Sequence, residues 1–137
     1  MQLKQTLFLV AVVAALAFSA HAAIAQSLSP MHKTGTTPTD VKGFRLLVGN
    51  PYPDRMTFVI TPMNPEFTQI AADAVVRPAE IRLAPGMGRS VVVQFRIGSP
   101  RKERTIGVCI SPKDLEGPVL PRVCGTYTGV LIASTGG

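Results

Sequence analysis

The segment Ser90-Val91-Val92-Val93-Gln94-Phe95-Arg96-Ile97 constrains this chain more than any other. Val91, Val93, Phe95 and Ile97 fall on one side of an extended backbone, and Ser90, Val92, Gln94 and Arg96 on the other. Period-2 alternation of this kind buries one face of a sheet and leaves the other to solvent. A helix would scatter the same residues around its circumference. The rest of the chain repeats the theme in shorter pieces. Phe44–Val48, Met56–Thr61, Val75–Arg77, Ile81–Leu83, Arg104–Ile110 and Arg122–Ile132 are β-rich runs separated by Gly and Pro. With 12 Gly and 12 Pro, the punctuation is too dense for a helical bundle.

The count is seven or eight short strands and no convincing helix, the pattern of an all-β, immunoglobulin-like antiparallel β-sandwich of about seven strands. Gly49-Asn50-Pro51-Tyr52-Pro53-Asp54 is a turn signal. Ala84-Pro85-Gly86-Met87 predicts a type II turn with Pro85 at its second and Gly86 at its third position. Phe67–Asp73 reads as a short helical turn or a loop, and Pro78 separates two short strands. Residues 26–43 are rich in Ser, Thr, Pro and Gly and read as a flexible arm with at most an edge strand at Leu28–Lys33. The sandwich is expected over 44–133 and a frayed tail over 134–137.

Residues 1–25 carry a three-part export signal: Lys4, an apolar run from Leu7 to Ala20, and the small-residue site Ala23-Ile24-Ala25. The apolar run is shorter than the roughly 18–20 residues a membrane span needs. The expectation is a cleaved signal peptide, a bacterial periplasmic or secreted product, and no integral span afterwards. In an oxidising compartment, the two cysteines Cys109 and Cys124 read as one disulfide. Pairing the last two strands brings them within reach.

Net charge is +6, and the basic residues are scattered; the one cluster, Arg101-Lys102-Glu103-Arg104, contains its own acid. Nucleic acid is not an expected partner, because it demands a concentrated basic face. Two cysteines and a distant His32 make no metal set, and no cofactor motif is present. No nucleophile-base pair, G-x-S-x-G or P-loop occurs, and the carboxylates stand singly. The expectation is a protein that is not an enzyme.

Several segments resemble PapD-like immunoglobulin domains, the fold of the periplasmic pilus chaperones. Phe44–Pro51 with Met56–Pro62 is similar to their strand, Asn-Pro, strand opening. Pro78, Ile81, Leu83, Pro85 and Gly86, followed by Arg89–Phe95, resemble their P-x-x-x-x-L-x-P-G segment and the strand after it. Glu103–Ser111 resembles the next strand. The likeness covers roughly half the chain and implies a single-domain form of the chaperone's first domain. In that family, the last strand is lent to a pilin subunit, by main-chain pairing and alternating apolar side chains. Two basic residues hold the subunit's carboxylate; Arg122 and Lys33 are the candidates here. The expectation is a form without the family's second domain, and the last strand departs from the pattern in carrying Gly125 and Gly129.

The resemblance implies an exported protein-binding or assembly-accessory module whose partner is pilin-like or a secretion component. Docking is expected through a strand edge or the 112–121 loop, with Lys113, Leu115, Arg122, Val123, Tyr127 and Leu131 as candidate contacts. Cys124-Gly125-Thr126-Tyr127-Thr128-Gly129 also resembles the closing strand of fimbrial and spore-coat subunits. The alternative it implies is a structural subunit of an appendage or coat. The oligomeric state is left open. Replacing the disulfide, Cys109→Ser, is expected to cost about 2–4 kcal/mol of stability. Equal melting of wild type and variant under oxidising conditions would refute the bridge.

Overall fold

A computed structural model describes residues 27–115 and 121–132. The export signal, the tail and the middle of the 112–121 loop lie outside the described residues. The chain runs β1 (Ser27–Ser29), β2 (His32–Thr37), β3 (Val41–Gly49), β4 (Met56–Met63), β5 (Val75–Arg77), β6 (Glu80–Leu83), β7 (Gly88–Arg96), β8 (Glu103–Pro112) and β9 (Val123–Leu131). Sheet A has the order β1-β3-β7-β5 and sheet B the order β2-β9-β8-β4-β6. The architecture is the expected all-β sandwich.

The alternation in β7 does what its pattern dictates. Val91 and Val93 are fully buried, Phe95 nearly so, and Val92 between them is exposed. β3 sets Phe44, Leu46 and Val48 beside them in sheet A. Sheet B answers with Phe58, Ile60, Ile81, Ile106, Val108, Ile110 and Tyr127, and the two inner faces form one core. Each fully buried Val, Ile or Phe contributes about 1.5–3 kcal/mol of transfer free energy.

The sheets are joined where proline interrupts a strand. β5 pairs with β7 in sheet A, while β6, beyond Pro78, pairs with β4 in sheet B. Pro30 divides the N-terminal segment in the same way: β1 pairs with β3, and β2 pairs with β9. Proline has no N–H to give a ladder, so pairing ends there and the chain is free to cross. The segment expected to be a flexible arm is therefore two strands, one in each sheet. They account for the excess over the seven expected strands.

Two turns are held by one side chain. Buried Asn50 donates from Nδ2 to the carbonyls of Asp54 and Leu83, both at 2.9 Å, and its Oδ1 accepts from the Tyr52 amide at 3.0 Å. Its backbone ties the neighbouring turn, with Asn50 N to Met87 O at 2.9 Å and Gly86 N to Asn50 O at 2.8 Å. Gly86 has φ +73° and Met87 N donates to Ala84 O at 3.1 Å. The turn is type II, as expected from Pro85-Gly86.

Phe67–Asp73 is a loop, not a helical turn. Asn64 organises it, its Oδ1 accepting from the amides of Thr68 and Gln69 at 2.8 and 3.1 Å. The Phe67 ring packs over Gly107, where a Cβ would stand 2.6 Å from it. At the far end of the loop, Arg104 grips Asp73 with two bonds of 2.7 and 2.9 Å and also donates to Arg96 O at 2.7 Å. The guanidinium holds the Asp73 carboxyl below its ordinary range.

Gly86→Val forces a β-branched residue into a positive φ and is expected to cost about 1–3 kcal/mol. Chemical denaturation checks this. An unchanged midpoint would show that the turn tolerates another conformation.

Candidate functional site

The candidate site is the flank of sheet B where β2 meets β9. β2 runs parallel to β9 over six pairs, His32 beside Thr126 through Thr37 beside Leu131. Thr126 N donates to Met31 O at 2.8 Å and Ile132 N to Thr37 O at 3.0 Å. Backbone groups alternate along a strand. Odd-numbered residues of β2 therefore face β9, and the amides and carbonyls of His32, Thr34 and Thr36 face away from it. Among the described residues, no strand pairs with that outer edge. Lys42 covers part of it, donating from Nζ to Thr36 O at 3.1 Å. Only Thr37 of β2 is buried, so the strand is held mainly by main-chain bonds.

The start of β2 is pinned from inside. Tyr127 is fully buried and its hydroxyl donates to Pro30 O at 2.6 Å. Burial pushes its pKa up to about 12. Its ring lies 5.8 Å from that of Phe44. Gly125 gives the crossing chain its passage, since a Cβ there would strike the carbonyl of Met31 and stand 2.6 Å from the Tyr127 oxygen. Gly129 likewise admits the Lys42 stem, whose Cβ lies 3.0 Å from where its own Cβ would be. The two glycines that interrupt the apolar row of the last strand are thus filled by neighbours.

The expected contact residues do not form one patch. Lys113 lies beyond β8, its Nζ bonded to both Glu80 oxygens at 3.0 and 3.1 Å. That hydrogen bond raises its pKa. Leu115 is part-exposed and lines a shallow depression of 230 Å³ with Asp54, Arg55, Met56 and Thr57. Arg122 donates to Phe67 O at 3.3 Å on the outside of sheet B. Val123 packs against the core, opposite Ile110. Leu131 is half-buried beside Thr37. Tyr127 offers no surface to a partner, because its ring is core and its hydroxyl is engaged. Lys33 stands beside Tyr127, five residues along β9 from Arg122, about 16 Å at strand spacing. The two cations do not converge.

The last strand is not an edge over its second half, because β2 covers it. What the residue pattern missed is β2 itself. His32-Lys33-Thr34-Gly35-Thr36-Thr37 has no apolar alternation, and an edge strand solvated on three sides needs none. The β-branched threonines are the remaining signal.

Cys109 and Cys124 are directly opposed on β8 and β9, with Cα atoms 4.1 Å apart, and form the expected disulfide. Among the described residues, no three His, Cys, Asp or Glu side chains come together as metal ligands. No described helix is long and apolar enough to cross a membrane.

No family model and no curated protein sequence matches the chain. Solved structures do match its fold. One is a chain in the Salmonella enterica SafA pilin complex with the SafB chaperone, at TM-score 0.63 and 18% identity. That match covers 85% of this chain and 59% of the other. The Escherichia coli chaperone DraB matches at TM-score 0.62 and 17% identity, over 82% of this chain and 57% of its own. A PapD-like domain of human CEP192 matches at TM-score 0.56 and 12% identity, over 80% and 86%. The sandwich is a PapD-like immunoglobulin fold. It spans less than two thirds of the length of either bacterial chain.

Tyr127→Phe removes one hydrogen bond to Pro30 and is expected to cost about 1 kcal/mol at neutral pH. The buried phenol holds its proton up to about pH 12, against 10.0 for an unburied one. The unfolded chain therefore loses that proton first as pH rises, and wild type is destabilised across this window. Paired melting curves should show the gap between wild type and variant closing between pH 10 and 12. A constant gap would show that Tyr127 ionises normally.

Proposed function

We propose that this chain is an exported, non-catalytic protein-binding module of chaperone-like type. Its partner adds an extended segment to the outer edge of β2. The observation that carries this reading is the row of outward-facing backbone groups at His32, Thr34 and Thr36 on a strand whose outer edge no described strand pairs with. Strand addition draws affinity from main-chain bonds and specificity from alternate side chains. β2 is the longest edge strand described. β1 and β5 have three residues each. The edge strand β6 alternates Glu80 and Arg82 with apolar residues and is flanked by prolines, which discourages pairing.

The likeness to chains described as chaperones, one of them in complex with a pilin, supports a protein partner of pilin-like or secretion-component type. The disulfide supports export, since such bonds persist in oxidising compartments. A periplasmic or secreted location is part of the proposal, as is a signal peptide at 1–25. The 112–121 loop is the second docking route, beside Leu115 and Lys113.

The edge can be blocked without unzipping β2. The Thr34 amide faces outward, so Thr34→Pro removes an edge donor and spares the bonds to β9. Photo-crosslinkers at His32 and Leu115, used in periplasm-containing cells, should capture a stoichiometric partner from His32. Its amides at His32, Thr34 and Thr36 should gain exchange protection in the purified complex. Thr34→Pro should weaken that complex by at least about tenfold at an unchanged melting temperature. Undiminished binding by Thr34→Pro, or capture from Leu115 alone, would move the site to the loop.

A further inference from the structure

The strands of sheet A carry five cations, Lys42, Arg45, Arg77, Arg89 and Arg96, and no Asp or Glu. Sheet B mixes signs, with Glu80 and Arg82 on β6 and Glu103 and Arg104 on β8. The register sorts the sheet A cations by face. Lys42 pairs with Phe95 and Arg89 with Val48, so both leave the backbone on the inner side. Arg45 and Arg77 both pair with Val92, one on each neighbouring strand. They form a row across the outer face, each about 5 Å from the Val92 strand. Arg96 lies four residues along β7, beside Val41.

Between these cations the face is aliphatic. Leu47 is 50% exposed, Val75 45% and Val92 38%. Val41, Val75, Val92 and Gln94 floor an open depression of 510 Å³, with Arg77 and Arg96 at its rim. The guanidinium groups are not neutralised locally. Arg96 meets Asp40 through a single 3.5 Å contact and its side chain is 73% exposed. Asp73, also at the rim, is already held by both Arg104 nitrogens. Among the described residues, Arg45 and Arg77 have no ion-pair partner.

We propose that the outer face of sheet A is a docking surface for an extended acidic polypeptide segment whose sheet-facing residues, every second one, are carboxylates and aliphatic side chains in turn. The guanidinium groups take the carboxylates in bidentate pairs, and the depression takes the aliphatic side chains. Successive same-side residues of such a segment are about 6.6–6.8 Å apart, which fits side chains spaced along β7. Charge complementarity selects an acidic occupant. The depression selects a segment, whose side chains can enter it, over a flat anionic membrane, which would only span its mouth. The surface lies on the sheet opposite β2, so the inference does not rest on strand addition.

The test is fluorescence anisotropy with a labelled peptide of Glu-Ser-Val-Ser repeats, about ten residues and long enough to cross the face, which presents Glu and Val in turn on one side. Saturable binding that weakens with salt is expected. Arg45→Gln/Arg77→Gln should lower affinity by at least about tenfold, while Arg82→Gln/Lys102→Gln, which removes the same charge outside sheet A, should leave it within about twofold. Neither the Arg45 nor the Arg77 side chain bonds to another described residue, so matched melting temperatures are expected. Independently of any variant, the peptide should shift amide resonances of β5 and β7 in the wild type. Equal losses in the two double variants would reduce the effect to net charge and overturn the proposal. Binding to phosphatidylglycerol vesicles without binding to the peptide would assign the face to a lipid surface instead. Absence of saturable peptide binding, or resonance shifts confined to sheet B, would also overturn it.

Discussion

The rest of the molecule depends on how the chain crosses from one sheet to the other at Pro30. A strand that stayed in sheet A would leave the flank of β9 bare over its whole length. Here β1 ends after three residues, the chain passes over Gly125, and β2 closes on β9. The crossing is anchored by one part-buried hydrogen bond, Tyr127 to Pro30. A buried carbonyl without a partner would cost about 1–3 kcal/mol, so the tyrosine hydroxyl both satisfies and positions the crossing. The same residue supplies core on one side, through its ring against Phe44.

Closure at this flank changes what the last strand can do. In a sandwich whose final strand is an edge, that strand is available for pairing. In this chain, six of its residues are already paired, and the available edge is one strand further out. That edge is polar and presents the backbone groups of His32, Thr34 and Thr36. The loop between β4 and β5 is fastened separately, by Arg104 on Asp73 and by Phe67 over Gly107. It closes over the outside of sheet B, and Arg122 is drawn into that closure through Phe67 O. Arg122, a candidate for holding a partner's carboxylate, is thereby bonded to the loop instead.

The two outer faces have diverged. Sheet B is covered near its middle by the loop, the disulfide and the Thr105–Thr128 hydroxyl pair. Sheet A is open, aliphatic and carries only positive charge in its strands. Net charge alone does not locate this, although the other nine Lys and Arg are nearly balanced by the eight Asp and Glu, all outside the strands of sheet A. The asymmetry emerges only when each residue is assigned to a strand and a face.

Much of the fold was legible in the residues because the relevant physics is local. Alternation named the buried side of β7 and β8, Pro85-Gly86 named the type II turn, and Cys109 and Cys124 found each other once the last two runs were paired. Pro78 was visible as a break, but not as a passage between sheets, since a missing amide ends one ladder without naming the next. The threonine-rich β2 was illegible for a related reason. Its place is set by a parallel partner some 90 residues away, and it buries too little to need an apolar pattern. The burial of Tyr127 was illegible on the same ground. A strand pattern reports which side chains are apolar. Whether Tyr127 faces a partner or a core, and whether β9 is an edge or an interior strand, depends on long-range pairing that no local sequence preference encodes.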